Sequence, residues 1–414
     1  MPTKVKQKLD TVTVNVVHDC RSCGSPLVPI LDLGEQRLAG WDDSPDSDKT
    51  IAPLNLLICS DSSCSLVQLG YTVNPDLLFR EYYYMSGINQ TMKDALADIT
   101  KRAVRLCPLN PHDVVLDIGC NDGTLLRSYN SQSLVKVGFD PAINLVEKSK
   151  DAGDVIINDY FSAGQFNYRK AKIITAIAMF YDLDKPHSFL SDVAQCLDND
   201  GVFIIQMSYL PLMLFQCAFD NICHEHLTYY SLQSLSFLLE PHDLRIFDAE
   251  INDINGGSIR VYISKGSRYE SPMLKSLREW EGCIGLRTHF PYDTFRKRCE
   301  EIRDTLREKI AYLNGRGKKI FGYAASTKGN VLLQYCGFTK KDIQAIADRN
   351  PKKWHKYCAG SGIPVISEQQ ARSDRPNYFL VLAWAFMEEF MKRERDWHDR
   401  GGRFIVPLPK VTVI

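Results

Sequence analysis

Three consecutive residues, His224-Glu225-His226, bring two imidazoles and a carboxylate together, with Tyr229 and Tyr230 close behind. Histidine titrates near neutrality, so either ring suits proton abstraction. A zinc-protease helix would need HExxH, which is absent here. On a strand or extended loop, His224 and His226 would share one side and Glu225 the other. The competing reading is a buried polar hinge whose groups satisfy one another. A second set is four cysteines: Cys20 and Cys23 in a CxxCG knuckle, then Cys59 and Cys64 after a gap of 35 residues. Two such pairs supply four thiolates to one tetrahedral Zn²⁺. Four thiolates leave no open position, so the role is structural. His18 is an alternative ligand.

The third set is a turn, Asp117-Ile118-Gly119-Cys120-Asn121-Asp122-Gly123, behind the apolar run Val114-Val115-Leu116. A buried strand, a glycine turn and a helical pattern from Thr124 form the α/β device that receives a nucleotide-like ligand. Glycine lets backbone approach, and the helix N-terminus offers free N–H groups. Val135–Asp140 reads as a second strand ending in a carboxylate. Asp140 lies 17 residues beyond Gly123, near the spacing at which an acid meets ribose hydroxyls. Asp154–Asp159, Lys172–Phe180 and Gly201–Ser208 read as further strands, separated by helix-length stretches such as His187–Leu197. That alternation predicts a doubly wound parallel sheet with its site at the carboxyl ends of the strands. Asn121 stands where a dinucleotide motif needs its middle glycine, and no GxGxxG follows, which argues against NAD.

Further candidates surround this centre. Tyr82, Tyr83 and Tyr84 precede Gly87. They either line a site with stacking faces and hydroxyls or pack two domains together. Lys318–Asn330 is a second strand, turn and helix start. There Ser326, Thr327 and Lys328 add donors for a phosphate, although the P-loop pattern is absent. Asp348 ends another strand, where it either meets a ribose or caps a turn. Asn255–Ile263 reads as a turn and strand, and Tyr378–Trp384 as a buried strand before a helix from Met387. Trp280–Leu313 reads as one long helix with a wet face. In the cysteine segment, Pro53–Cys59 and Leu66–Leu69 read as strands, while Leu31–Gly34 and Trp41–Asp48 read as loops. Thr91–Leu106 reads as an amphipathic helix.

With 414 residues the chain exceeds one comfortable core. The motifs divide it into a zinc-binding domain over 1–75, a cofactor domain over 76–250 and a C-terminal α/β domain over 251–414. Lysine plus arginine and aspartate plus glutamate are both 50, so the formal net charge is zero. No global field attracts nucleic acid or an anionic membrane. The acidic loop 42–48 also tells against a nucleic-acid ribbon. The start Met1–Lys6 lacks an apolar h-region, and no run approaches a membrane span. Thirteen scattered cysteines, an odd count, fit a reducing cytoplasm.

The turn at 117–123 resembles motif I of the class I methyltransferases that use S-adenosylmethionine. That resemblance implies Gly119–Gly123 against the methionine half, Asp140 on the ribose and Asp159-Tyr160-Phe161 around the adenine, with Asp117, Asn121, Asp122 and Met179 in the same shell. Taken with the zinc knuckles, the Glu225-His226 pair, Asn255–Arg260 and Gly322–Gly329, nearly the whole chain is similar to the sugar C-methyltransferases. Membership implies a Rossmann-like methyltransferase domain between a structural-zinc domain and a C-terminal substrate domain. It implies methyl transfer to C3 of a nucleotide-linked 4-keto-6-deoxy sugar, on a dTDP or GDP carrier, through an enolate. His226 would be the base, with Glu225 and His224 beside it. Tyr82, Tyr84, Asp182, Tyr229, Gly257, Arg260, Tyr323, Ser326, Thr327, Lys328 and Asp348 would meet the substrate. The antibiotic-sugar members carry tyrosine where Cys223 stands and histidine where Asp182 stands. The phenol that could hold the enolate is therefore missing, and His224, Tyr229 or one of Tyr82–Tyr84 would substitute. A self-contained three-domain layout fits a monomer. O- or N-methylation of a small molecule, or methylation of a nucleic acid, are the alternatives.

Overall fold

The computed structural model describes residues 14–46, 48–131 and 133–414. The Met1–Lys6 start and Ser47 of the acidic loop lie outside the described residues.

The central sheet is built on Val114–Ile118, in which all five residues are buried. β-branched residues covered on both faces are what a parallel centre strand requires. Val135–Phe139 and then Val155–Ile157 pair in parallel on one side of it. The chain then crosses back, and Ala171–Ile177 and Leu197–Ser208 pair in parallel on the other side. The reversal next to Val114–Ile118 opens a crevice at the carboxyl ends of the strands. Two antiparallel strands, Ser258–Lys265 and Leu244–Asn252, finish this edge. The seven-stranded sheet therefore runs past residue 250 to Lys265. Helix Gln90–Leu106 covers one face with Leu96, Ile99, Thr100 and Ala103, spaced three and four apart. Its start is capped by the Asn89 side chain, which accepts from Thr91 N–H.

The N-terminal domain is a four-stranded antiparallel sheet of Leu27–Arg37, Ile51–Cys59, Val67–Leu69 and Thr228–Tyr229. The expected loop at Leu31–Gly34 is strand: Gly34, at φ +78°, absorbs an irregularity in the ladder without ending it. The C-terminal sheet has Ile320–Tyr323 between Ile346–Asp348 and Tyr378–Val381, all parallel, which gives a second crevice before helix Thr327–Tyr335. The expected single helix over Trp280–Leu313 is two, Pro272–Ile284 and Phe290–Gly315. Gly285 adopts φ +76° and terminates the first. Among the described residues no helix is long and apolar enough to cross a membrane.

Two strand pairs tie the zinc domain to its neighbours. Thr228–Tyr229, supplied by the central domain, pairs with Val67 and Gln68. Trp41–Asp42 pairs with Tyr357–Cys358 of the C-terminal domain.

Candidate active site

The four cysteines converge as the spacing requires. The Cys20 and Cys64 sulfurs lie 3.7 Å apart, those of Cys23 and Cys59 3.3 Å, and all four fall within 4.8 Å of one another. A tetrahedron of Zn–S bonds of about 2.3 Å sets its sulfurs about 3.8 Å apart, so the donor set fits Zn²⁺. Gly24, at φ +73°, turns its N–H onto the Cys20 carbonyl. His18 is exposed and outside this cluster.

A cleft of about 1020 Å³ lies where the three domains meet. Single-ligand pockets run from about 300 to 1,000 Å³, so it has room for two ligands. Its cofactor end is the turn after Val114–Ile118. Gly119 and Cys120 donate their N–H groups to the Phe139 carbonyl. Gly119 adopts φ +74°, and a Cβ there would come within 3.0 Å of Met179 Cγ, so glycine keeps the space open. Asn121 sits at φ +54°, a conformation asparagine tolerates, and its side chain grips the Tyr84 carbonyl and Ser86 N–H. Asp140 accepts from Asn121 N–H at 2.7 Å and Ala142 N–H at 2.9 Å, one to each oxygen. Each oxygen keeps a lone pair for a ribose diol. Asp159 receives Tyr160 N–H and Arg80, and Phe161 stacks edge-on against Phe139 and Phe189, forming the aromatic wall. Asp117 also lines the cleft. Burial raises its pKa to about 7, opposed by a 2.6 Å hydrogen bond from Thr175. These donors and walls suit S-adenosylmethionine. Asp122 and Gly123 face away from the cleft wall: Asp122 accepts from Gly87 N–H and the Thr124 hydroxyl and so fixes the turn.

At the chemical end, His224-Glu225-His226 is a turn, closed by His226 N–H on the Cys223 carbonyl. The expected shared side for the two histidines is therefore lost. His224, 3% exposed, reaches back to the Ala52 carbonyl at 3.0 Å, and burial lowers its pKa to about 4. His226 instead places Nδ1 2.9 Å from the Asn221 carbonyl and its ring 4.3 Å from Tyr181. Glu225 Oε2 and Asp182 Oδ1 are both shut from solvent without hydrogen-bond partners among the described residues. The segment is clamped on both sides. Leu227 N–H and the Thr228 hydroxyl bond the Tyr181 carbonyl, and Leu69 N–H bonds the Leu227 carbonyl.

The third wall brings Ser326, Thr327, Lys328 and Asp348 to the cleft, which Tyr82 and Tyr84 also line. Ser326 caps its helix by accepting from Gly329 N–H. Lys328 Nζ donates to the Asn255 carbonyl at 2.9 Å. Four expected contacts lie elsewhere. Arg260 is consumed by Asp98, Glu250 and Gln206 beside the central sheet. Tyr323 donates to Glu394 and Glu368 inside an aromatic core. Tyr229 is buried with its hydroxyl 3.4 Å from the Asn221 carbonyl. Gly257, at φ +121°, packs near Leu212, while its neighbour Asn255 reaches the cleft. Sequence reasoning missed Asn221, whose carbonyl orients His226, and Trp384, whose indole N–H donates to Asp220 at 2.8 Å across the cleft. Asn221 stands in the same polar segment as the histidines, which was its signal. Trp384 gave none beyond its apolar strand.

Comparison with known proteins agrees with these three parts. The family model "Putative zinc binding domain" matches residues 20–79, "Methyltransferase domain" 88–248 and "C-methyltransferase C-terminal domain" 253–409. Among solved structures, an S-adenosylmethionine-dependent methyltransferase from Clostridium acetobutylicum ATCC 824 is 14% identical, with a TM-score of 0.34 over 44% of this chain and 94% of that one. Magnesium protoporphyrin IX methyltransferase from Synechocystis PCC 6803 with bound SAH is 13% identical, with a TM-score of 0.36 over 44% and 91%. Likenesses so faint carry no argument about the site. The C-methyltransferase NovU of Streptomyces niveus is 32% identical over 412 residues, which is 97% of this chain and 98% of that protein. With the cysteine cluster, the class I sheet and the third domain matched along almost the full length of that relative, the chain belongs to the S-adenosylmethionine-dependent C-methyltransferases.

Proposed function

We propose that the chain methylates C3 of a nucleotide-linked 4-keto-6-deoxy sugar, carried on dTDP or GDP, as a monomer in the cytoplasm. The observation that carries this reading is the state of His226. A carbonyl only accepts, so the bond to Asn221 assigns the ring proton to Nδ1 and leaves Nε2 with a bare lone pair. Burial first, and Lys328 second, push the His226 pKa down to about 3, so the ring is neutral at any working pH. A neutral imidazole with a bare lone pair is the form a base must take before it receives a proton. The same burial and cation lower its proton affinity, a cost that the charge developing on the enolate oxygen has to offset.

A C4 ketone acidifies the hydrogen on C3. His226 Nε2 takes that proton, and the C–H electron pair moves toward the C4 oxygen. S-adenosylmethionine, when bound, supplies an electrophilic methyl group on a sulfonium leaving group. The remaining work belongs to the walls. Ser326, Thr327 and Lys328 hold the diphosphate. Tyr82 and Glu225 orient the sugar. Asp140 and the Gly119–Asn121 turn align the cofactor, and the clamped 224–228 segment fixes the base.

The test is His226→Asn. S-adenosylmethionine should bind as in the wild type by calorimetry, while turnover on a panel of dTDP- and GDP-linked 4-keto sugars falls by about 10³-fold, read by mass spectrometry. Turnover within tenfold of wild type would remove His226 as the base.

A further inference from the structure

Deprotonating C3 leaves charge on the C4 oxygen, and something must receive it. A backbone oxyanion hole is one solution; a neutral acid aimed at the oxygen is another. Cys223 is fully buried and its thiol is a weak donor, so the position expected to hold a phenol offers little.

We propose, resting on the enolate reading above, that Asp182 is a catalytic residue that stays protonated and donates a hydrogen bond to the C4 oxygen of the sugar. Three observations point to it. It follows the strand Ala171–Ile177 at the carboxyl edge of the sheet, and its N–H is tied to the carbonyl of Met179, the residue that bounds the cofactor cradle at Gly119. Its side chain lines the cleft, yet Oδ1 has neither solvent nor a partner among the described residues. An ionised carboxylate with a bare buried oxygen is costly, and a protonated one is far less so. The groups facing it are Glu225, Tyr82, Tyr181, Cys223 and Tyr229, of which only Glu225 is a charged type, and its sign is the same.

The two carboxyls are not equivalent. Burial raises the Glu225 pKa as well, but there a backbone hydrogen bond, Cys223 and Lys49 all oppose the rise, whereas on Asp182 burial is reinforced by Glu225 itself. Burial drives the Asp182 pKa well above the carboxylate range, and Glu225 adds to that rise. One carboxyl is thereby held neutral as a donor, while its neighbour is free to accept from sugar hydroxyls. No proton leaves Asp182 in the step. The C3 proton goes to His226, the electron pair goes to oxygen, and the Asp182 O–H shortens its hydrogen bond as charge grows.

The experiment uses the full-length zinc-loaded protein, with dTDP- and GDP-linked 4-keto-6-deoxy sugars as probes. It measures deuterium entry at C3 in D₂O, with S-adenosylhomocysteine in place of the methyl donor. Asp182→Leu, which donates nothing, should lose about 10²–10³-fold in exchange and in turnover. Asp182→Asn, which still donates through N–H, should stay within about tenfold of wild type. It should also lose the alkaline limb that ionisation of Asp182 gives the wild-type profile. Calorimetric binding of S-adenosylhomocysteine should be unchanged in both. Exchange within tenfold of wild type in Asp182→Leu overturns the role of Asp182 and leaves the enolate intact. Survival of the wild-type alkaline limb in Asp182→Asn does the same, since it marks another group as the source of that limb. A 10²–10³-fold loss confined to Tyr82→Phe would move the role to that phenol. No exchange in wild type with any probe overturns the enolate reading, and Asp182's role with it.

Discussion

Lys328 and His226 come from different domains, yet the lysine helps set the state of the histidine. The Lys328 cation helps hold the imidazole neutral, while burial lowers the lysine's own pKa and Asp220 opposes that fall. Lys328 also spans from its helix to the Asn255 carbonyl, beside the space assigned to a diphosphate. Lys328→Ala should therefore raise KM about tenfold while kcat falls less, because a phosphate contact binds ground and transition states alike. It should also shift the pH profile. Removing the cation raises the His226 pKa, so the acid-side fall in kcat/KM moves to higher pH than in wild type. Steady-state kinetics extended down to about pH 3 check both effects, and an acid limb moving to lower pH would contradict the electrostatic argument. At this scale the sequence disclosed residue types but not their directions. His224 and His226 part company because a turn, closed by the Cys223 carbonyl, replaces the two-residue alternation of a strand. Arg260 was legible as a cation. Its consumption by Asp98 and Glu250, 162 and 10 residues away, was not, because no local signal encodes such a pairing.

Elements were more legible than side-chain directions, since burial and turn chemistry are written locally. The glycine turn is the clearest case: β-branched residues specify the strand, and Gly119 and Gly123 both take positive φ. The two glycines nonetheless serve different ends. A Cβ on Gly123 would lie 2.1 Å from Ala152 Cβ, in packing behind the cleft, whereas one on Gly119 would meet only the flexible Met179 side chain. Gly123→Ala should cost about 2–5 kcal/mol, combining the left-handed backbone with overpacking. Gly119→Ala should cost about 1–2 kcal/mol and weaken S-adenosylmethionine at least tenfold by filling its cradle. Thermal unfolding and calorimetry separate the two: a melt of Gly123→Ala matching wild type would refute the packing argument. Trp41–Asp42, expected as loop, is strand because it pairs with Tyr357–Cys358, and in two other failed expectations a glycine was responsible. Gly34 lets a strand continue through an expected loop, and Gly285 divides an expected single helix. Glycine marks a change of direction without saying whether the element resumes.

For the whole molecule, the zinc domain is the part that touches neither the methyl nor the base, yet the cleft depends on it. Its sheet takes Thr228–Tyr229 as a fourth strand, two residues beyond His226. Its outlying pair Trp41–Asp42 joins Tyr357–Cys358, in the domain that bears Lys328. Between them lie Leu38, Trp41 and Lys49 on the cleft wall. A segment this small does not supply much core of its own, so the metal is its main source of stability. Cys59→Ser should therefore act at a distance. Metal analysis should fall from about one zinc per chain to none. Hydrogen exchange should quicken at Val67–Leu69 and Thr228–Tyr229, and at Tyr357–Cys358. Turnover should collapse although Cys59 lines no part of the cleft. Strand-paired walls that lose their shared support no longer hold His226 and Lys328 in one geometry, so the loss should appear in both kcat and KM. A metal-free Cys59→Ser protein retaining wild-type kcat/KM would show that the central and C-terminal domains set the cleft without their brace.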